Sequence, residues 1–250
     1  MSDSNIEIIK SEKIYNRIEH GTNAFFHFSY SNYYDPKKMN FGVLRVFNEF
    51  IFQPHKSDIN YAYSFNTDIE ILFYVISGIL EYKDNLLNHE MISENEIFRI
   101  SAGRGIIWAI RNQSKNVSLK FIEIWIYPNG NEIGSKPCST KKTFSIDNYK
   151  NTLFPIILPY NTTRSNLSIK QDTSIYISEL SPESELTYYI EKERMCYLYT
   201  INGKITINNS IYIDSKYAAR LFSPSKKSFS IKNSDSSSSN IILIDLPRMI

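Results

Sequence analysis

Ser64-Phe65-Asn66-Thr67-Asp68-Ile69-Glu70 and, one hairpin later, Gly103-Arg104-Gly105-Ile106-Ile107-Trp108-Ala109-Ile110-Arg111-Asn112 decide how this chain is read. The first segment has the X-x-X-x-x-x-Glu spacing of a metal-binding strand. The second has the spacing of a ligand-bearing strand that follows a Gly-x-Gly turn. Side chains alternate between the faces of a strand, so Ser64 shares a face with Asn66, and Trp108 with Ile110. These four positions carry a hydroxyl, an amide, an indole and an alkyl group, where metal chemistry would ask for imidazole or carboxylate.

Working outward, short apolar or alternating runs at 41–48, 59–65, 70–77, 79–83, 96–100, 106–110 and 118–127 read as strands. Their turns contain Ser77-Gly78, Asp84-Asn85 and Ala102-Gly103. Residues 6–20 read as an extended or irregular lead-in, and Ser31–Pro36 as a helix-turn. The run 128–142, with two Gly and two Pro and no apolar period, reads as a linker. The strand pattern resumes at 174–180, 186–190, 195–201, 204–207, 210–213, 219–222, 228–231 and 240–246, with Ser234–Asn240 as a hairpin tip. Ile76-Ser77-Gly78-Ile79-Leu80-Glu81-Tyr82 is echoed by Thr200-Ile201-Asn202-Gly203-Lys204-Ile205-Thr206, a weak internal repeat. The expectation is an all-β chain of two similar domains, 1–137 and 138–250.

The bulk numbers exclude several classes. Net charge is +2 with both signs mixed, which gives no electrostatic case for direct nucleic-acid or membrane binding. Hydrophobic residues at 42% and aromatics at 14% suffice for ordinary cores. No apolar run approaches the ~20 residues that a membrane-crossing helix needs. The polar first residues carry no signal-peptide pattern, and the two cysteines, Cys138 and Cys196, form no CxxC motif, so a reducing cytoplasm is the expected location.

Phe28-Ser29-Tyr30-Ser31-Asn32-Tyr33-Tyr34-Asp35-Pro36, Phe41-Gly42-Val43-Leu44-Arg45-Val46, Asp68-Ile69-Glu70-Ile71, Ser101-Ala102-Gly103-Arg104-Gly105-Ile106 and Ile124-Trp125-Ile126-Tyr127-Pro128 occur in that order and together resemble the pirin family. The resemblance implies a bicupin, two double-stranded β-helix (jelly-roll-like) barrels in one chain. It also implies a His-x-His and a His-x-Glu motif that bind one divalent metal, usually iron, with quercetin 2,3-dioxygenase activity in some members. Carried over, the ligand positions fall on Ser64, Asn66, Trp108 and Ile110, while the flanking Glu70 and Asn112 are retained. On this reading the scaffold is kept, no cofactor is held and Trp108 fills the metal's space.

The remaining donors are scattered. Glu70 and Glu123 are the substitute candidates, since Glu123 shares strand parity with Trp125 and could face the first barrel's interior. The competing expectation pairs them with Arg99, Arg104 or Arg111. His27 reads as structural, His55 as a loop residue, His89 as a hairpin-loop histidine and Asp68 and Glu90 as bystanders; no histidine follows residue 89. No Ser-His-Asp arrangement, P-loop or dinucleotide fingerprint appears. The functional expectation is a non-enzymatic binding or regulatory protein whose partner is an unknown protein or a small apolar molecule. The alternatives are a dioxygenase with relocated ligands and a metal-free small-molecule-binding cupin. The volume left beside Trp108 discriminates between a plugged barrel and a binding one.

Overall fold

The structure is a computed structural model that describes residues 5–54, 62–160, 162 and 167–248. In chain order the strands are β1 (Asn5–Ile9), β2 (Tyr15–Glu19), β3 (Thr22–Phe26), β4 (Leu44–Phe52), β5 (Ala62–Asn66), β6 (Glu70–Ser77) and β7 (Leu80–Asp84). There follow β8 (His89–Ile92), β9 (Glu96–Ser101), β10 (Ile106–Asn112), β11 (Leu119–Ile126), β12 (Cys138–Thr143), β13 (Phe154–Pro159) and β14 (Leu167–Ile169). The last are β15 (Ser174–Leu180), β16 (Glu185–Ile190), β17 (Arg194–Asn202), β18 (Ile205–Ile207), β19 (Ile211–Ile213), β20 (Ala218–Phe222), β21 (Lys227–Asn233) and β22 (Ser239–Pro247). Among the described residues no α-helix forms, and no helix is long and apolar enough to cross a membrane.

Two compact units result. The first comprises Tyr15–Phe144 with Ile169–Gln171, and the second Met1–Ile14, Ser145–Ser168 and Asp172–Ile250. Each is a jelly roll of one large and one small antiparallel sheet. The first unit orders its strands β12-β9-β6-β11-β4-β3-β2 and β5-β10-β7-β8. The second orders them β1-β20-β17-β22-β15-β13-β14 and β16-β21-β18-β19. Matched position by position, β6 corresponds to β17, β11 to β22 and β10 to β21, so the repeat seen around Gly78 and Gly203 extends through both sheets. Asn112, at the end of β10, donates to the carbonyls of Phe52 and Val117, while its Oδ1 accepts from Ser114. Asn233, at the end of β21, does the same to Leu180 and Ser237, with its Oδ1 accepting from Asp235. Each asparagine ties the hairpin that follows its strand to the backbone of a neighbouring strand, and the asparagine side chain itself is buried.

Several expectations change here. The lead-in 6–20 contains β1 and β2, and β1 pairs with β20 of the second unit. The run 128–142 is not wholly a linker. Its last residues form β12 along β9, because an edge strand needs backbone partners rather than an apolar face. A cut after residue 137 therefore separates β12 from the sheet it extends, and leaves β1 outside the unit it completes. Ser31–Pro36 forms no helix; the Ser29 hydroxyl, hydrogen-bonded with Asp35 at 2.8 Å, closes a turn.

The first unit's core is aromatic. Phe26, Phe50, Phe52, Phe73, Phe98 and Phe121 are buried between its sheets, with Phe50 stacked on Phe121 at 5.2 Å. Burying each such ring contributes about 1.5–3 kcal/mol. The second unit's core is mostly aliphatic, built on Leu198, Ile205, Ile207, Ile231 and Leu243. At the β9–β10 corner, Gly103 has φ +45°, and a Cβ there would lie 2.0 Å from the Ser135 carbonyl oxygen. Its own carbonyl accepts the Asp68 N–H at 2.8 Å, which fixes β5 and β10 where the site lies.

Candidate functional site

β5 and β10 are antiparallel neighbours, with Ser64 opposite Trp108 and Asn66 opposite Ile106. Alternation along β10 sends Ile106, Trp108 and Ile110 inward and leaves Ile107 exposed. Asn66 Oδ1 accepts two hydrogen bonds, from Trp108 Nε1 at 2.9 Å and from Ser64 Oγ at 3.0 Å. The indole packs edge-on against Phe73 at 5.3 Å and is 3% exposed. Ser64, Asn66 and Trp108 thus satisfy one another in a closed cluster, and Ile110 adds only carbon.

This set does not fit a transition metal. A hydroxyl and an amide are poor ligands for iron or nickel, an indole N–H is a donor only, and an alkyl group offers nothing. Among the described residues no group of three or more His, Cys, Asp or Glu is placed to hold an ion. Glu70 and Glu123 do not meet. In the register of β6 and β11, Glu123 pairs with Phe73 and Glu70 with Ile126, so the two carboxylates leave opposite faces of one sheet. Glu70 accepts from Arg99 Nε and Ser101 Oγ, each at 2.8 Å, as the competing expectation held for Arg99. Arg111 pairs instead with Glu81.

The other candidates are structural. His27 is buried against Phe47 at 4.9 Å, and Asp68 Oδ1 accepts the Gly134 N–H at 2.7 Å. His89 is not in a hairpin loop but starts β8, where its Nε2 lies 2.9 Å from Glu81. Glu90 pairs with Lys141 at 3.4 Å. His55 lies outside the described residues.

Trp108 does not fill the interior. A cavity of about 500 Å³ remains between the two sheets. Ser64, Asn66, Trp108 and Ile110 line one side, and Phe50, Phe52, Glu123 and Trp125 the other. Tyr30, Arg17, Glu19, His20 and Arg45 also contribute to the lining. The space survives because the indole lies along Phe73 and because Ser64, Asn66, Thr22 and Ser31 are small. Sequence reasoning missed the β4 and turn contributions, Phe50, Phe52 and Tyr30. The parity of Glu123 with Trp125 was the available signal, since both do line the cavity.

Glu123 is the unusual group. It is 1% exposed, and no Lys, Arg or His among the described residues pairs with it. Burial pushes its carboxyl up to about 7, against the opposing pull of Trp125, Asn48 and Tyr30. Asn48 Nδ2 donates to Oε2 at 3.3 Å. The Trp125 indole N–H is near enough to favour the charge, yet it lies outside hydrogen-bond geometry with any acceptor. The Tyr30 phenol is driven well above its usual range by burial and then by the adjacent carboxylate, so it stays a neutral donor.

Comparison with known proteins agrees with this architecture. Residues 9–126 match the Pirin family model, and residues 156–246 match that of the quercetinase C-terminal cupin domain. The quercetin 2,3-dioxygenase of Escherichia coli O157:H7 is 30% identical over 220 residues, 88% of this chain and 89% of that protein. A pirin-like protein of Caulobacter vibrioides is 29% identical over 191 residues, 76% of this chain and 80% of its own. The crystal structure of the Escherichia coli pirin YhhW in complex with nickel(II) superposes with TM-score 0.86 at 26% identity, covering 98% of this chain and all of that one. With two jelly rolls in matching order, both family models in sequence and relatives that span nearly the whole length, this chain belongs to the pirin family of bicupins.

Proposed function

We propose that this chain binds a small aromatic molecule in the first unit's cavity without a metal, and acts as a binding or regulatory protein rather than a dioxygenase. One observation carries the reading. The positions that resemble the family's ligand set form a self-satisfied Ser64–Asn66–Trp108 cluster beside an open, aromatic-walled cavity of about 500 Å³. That volume lies in the range of small-molecule sites, roughly 300–1,000 Å³. A metal-dependent oxygenase needs about three or more N or O donors converging at roughly 2.0–2.2 Å, and these side chains do not supply them. Relatives are named quercetin 2,3-dioxygenases, but a shared fold does not transmit an activity when the site's groups are exchanged. The cytoplasm is the proposed place of work, since Cys138 and Cys196 are both free thiols.

Elemental analysis of purified protein, run with an oxygen-uptake assay on quercetin and a calorimetric screen of aromatic molecules after chelator treatment, tests this reading. Expected are no stoichiometric transition metal, no metal-dependent oxygen uptake, and saturable binding that survives the chelator. A full equivalent of iron or nickel with quercetin consumption would overturn it in favour of a dioxygenase with relocated ligands.

A further inference from the structure

The cavity's polar character is lopsided. Its cations already have partners. Arg45 Nη1 donates to the carbonyls of Ser29 and Met39 at 2.7 and 3.1 Å. Arg17 lies over the Phe26 ring at 5.1 Å and 3.6 Å from Glu19. The deepest ionisable group, Glu123, has none. It sits among the rings of Tyr30, Phe50 and Trp125, with Tyr30 edge-on to Trp125 at 5.4 Å and to Phe50 at 6.3 Å. Beside it, the Asn48 side-chain oxygen and the Trp125 indole nitrogen are buried without hydrogen bonds among the described residues.

A buried carboxylate held by neutral donors alone is costly, and a cation delivered to it relieves that cost. Aromatic faces around the same point add to the attraction, because their quadrupoles favour positive charge. Asn48 Oδ1 is a further acceptor close to the carboxylate. Arg17 opposes a cationic guest only weakly, since its side chain is 29% exposed and its charge is offset by Glu19 and screened by water.

Resting on the proposal that the cavity binds a small aromatic molecule, we infer that the ligand class is an aromatic amine, with its ammonium group on Glu123 and its ring among Tyr30, Phe50 and Trp125. The recognition is a charge-assisted hydrogen bond inside an aromatic cage; no bond is made or broken.

Three probes of one shape test this: phenethylamine, 2-phenylethanol and phenylacetate, each titrated calorimetrically into chelator-treated protein at pH 8. Trp108 and Trp125, the chain's two tryptophans, both line the cavity, so their fluorescence gives a second readout. A hydrogen bond to a charged partner predicts that the amine binds about 10- to 100-fold tighter than the alcohol, with the acid weakest. In the near-isosteric Glu123→Gln protein, amine and alcohol should bind alike. Equal binding of amine and alcohol to the wild type, or an amine preference that persists in Glu123→Gln, would overturn this inference and leave the cavity reading standing. Failure of all three probes to bind at millimolar concentration would overturn both.

Discussion

Replacing Glu123 by Gln should change how the first unit's stability depends on pH, in a direction the structure sets. The folded carboxyl titrates at about 7, against 4.5 for an ordinary glutamate. The folded state therefore holds a proton that the unfolded chain has released over that interval, so stability is fully present below pH 4.5 and is lost as pH rises to about 7. The gap of 2.5 units, from 7 minus 4.5, corresponds to about 3 kcal/mol at ~1.36 kcal/mol per unit. Glutamine keeps the volume, and its carbonyl can accept from Asn48 and Tyr30 as the carboxylate does, without a charge. The variant minus wild-type stability should thus rise by about 3 kcal/mol between pH 4 and pH 8. The groups facing Glu123 are Tyr30, Asn48 and Trp125, none of which titrates there. Arg17 and the exposed His20 also border the cavity, but they are the same in both proteins and drop out of the difference. Urea unfolding followed by tryptophan fluorescence isolates the effect, because Trp108 and Trp125 both lie in the first unit. Parallel stability curves for the two proteins would refute the reasoning, since they would mean that Glu123 ionises in the fold as easily as in water.

Restoring the family's ligand set by Ser64→His, Asn66→His, Trp108→His and Ile110→Glu should give a protein that retains nickel(II) through gel filtration. It should also unfold more easily by about 3 kcal/mol, as the contact of Trp108 with Phe73 is lost. Asn112→Ala should cost the first unit about 2–4 kcal/mol, seen by tryptophan fluorescence, because two backbone carbonyls lose their donor. Asn233→Ala should cost the second unit a similar amount, seen by circular dichroism while the tryptophan signal at low urea is unchanged. Arg194→Ala leaves Asp245, bonded also by Tyr188, without its cation and should destabilise the second unit by about 3–5 kcal/mol in a circular-dichroism melt.

The strands that sequence reading placed best are those whose pattern and burial agree. The runs 70–77 and 174–180 match β6 and β15, each buried over most of its length by the facing sheet. Several of those it missed are edge strands, whereas β3 and β13 were missed although each has a neighbour on both sides. Cys138–Thr143 reads CSTKKT and has no buried residue, so backbone pairing alone makes it a strand, and no apolar period could announce it. Tyr15–Glu19 is likewise exposed or half-buried throughout. In the site, the inward parity of Ser64 with Asn66 and of Trp108 with Ile110 was legible from alternation. The separation of Glu70 from Glu123 was not, because it depends on the β6–β11 register. The open cavity was also hidden from sequence. An indole can fill a site or lie along its wall, and the direction is set here by Asn66 and Phe73 from two other strands.

On the proposed function, the exchanged ligand positions leave a binding cavity without a ligand set for a transition metal. This is tested most directly by titrating nickel(II) into chelator-treated protein while following the fluorescence of Trp108 and Trp125. Both indoles border the space a metal would occupy, and a bound paramagnetic ion there would quench them. No saturable quenching is expected. Quenching that saturates at one nickel per chain would contradict the proposal.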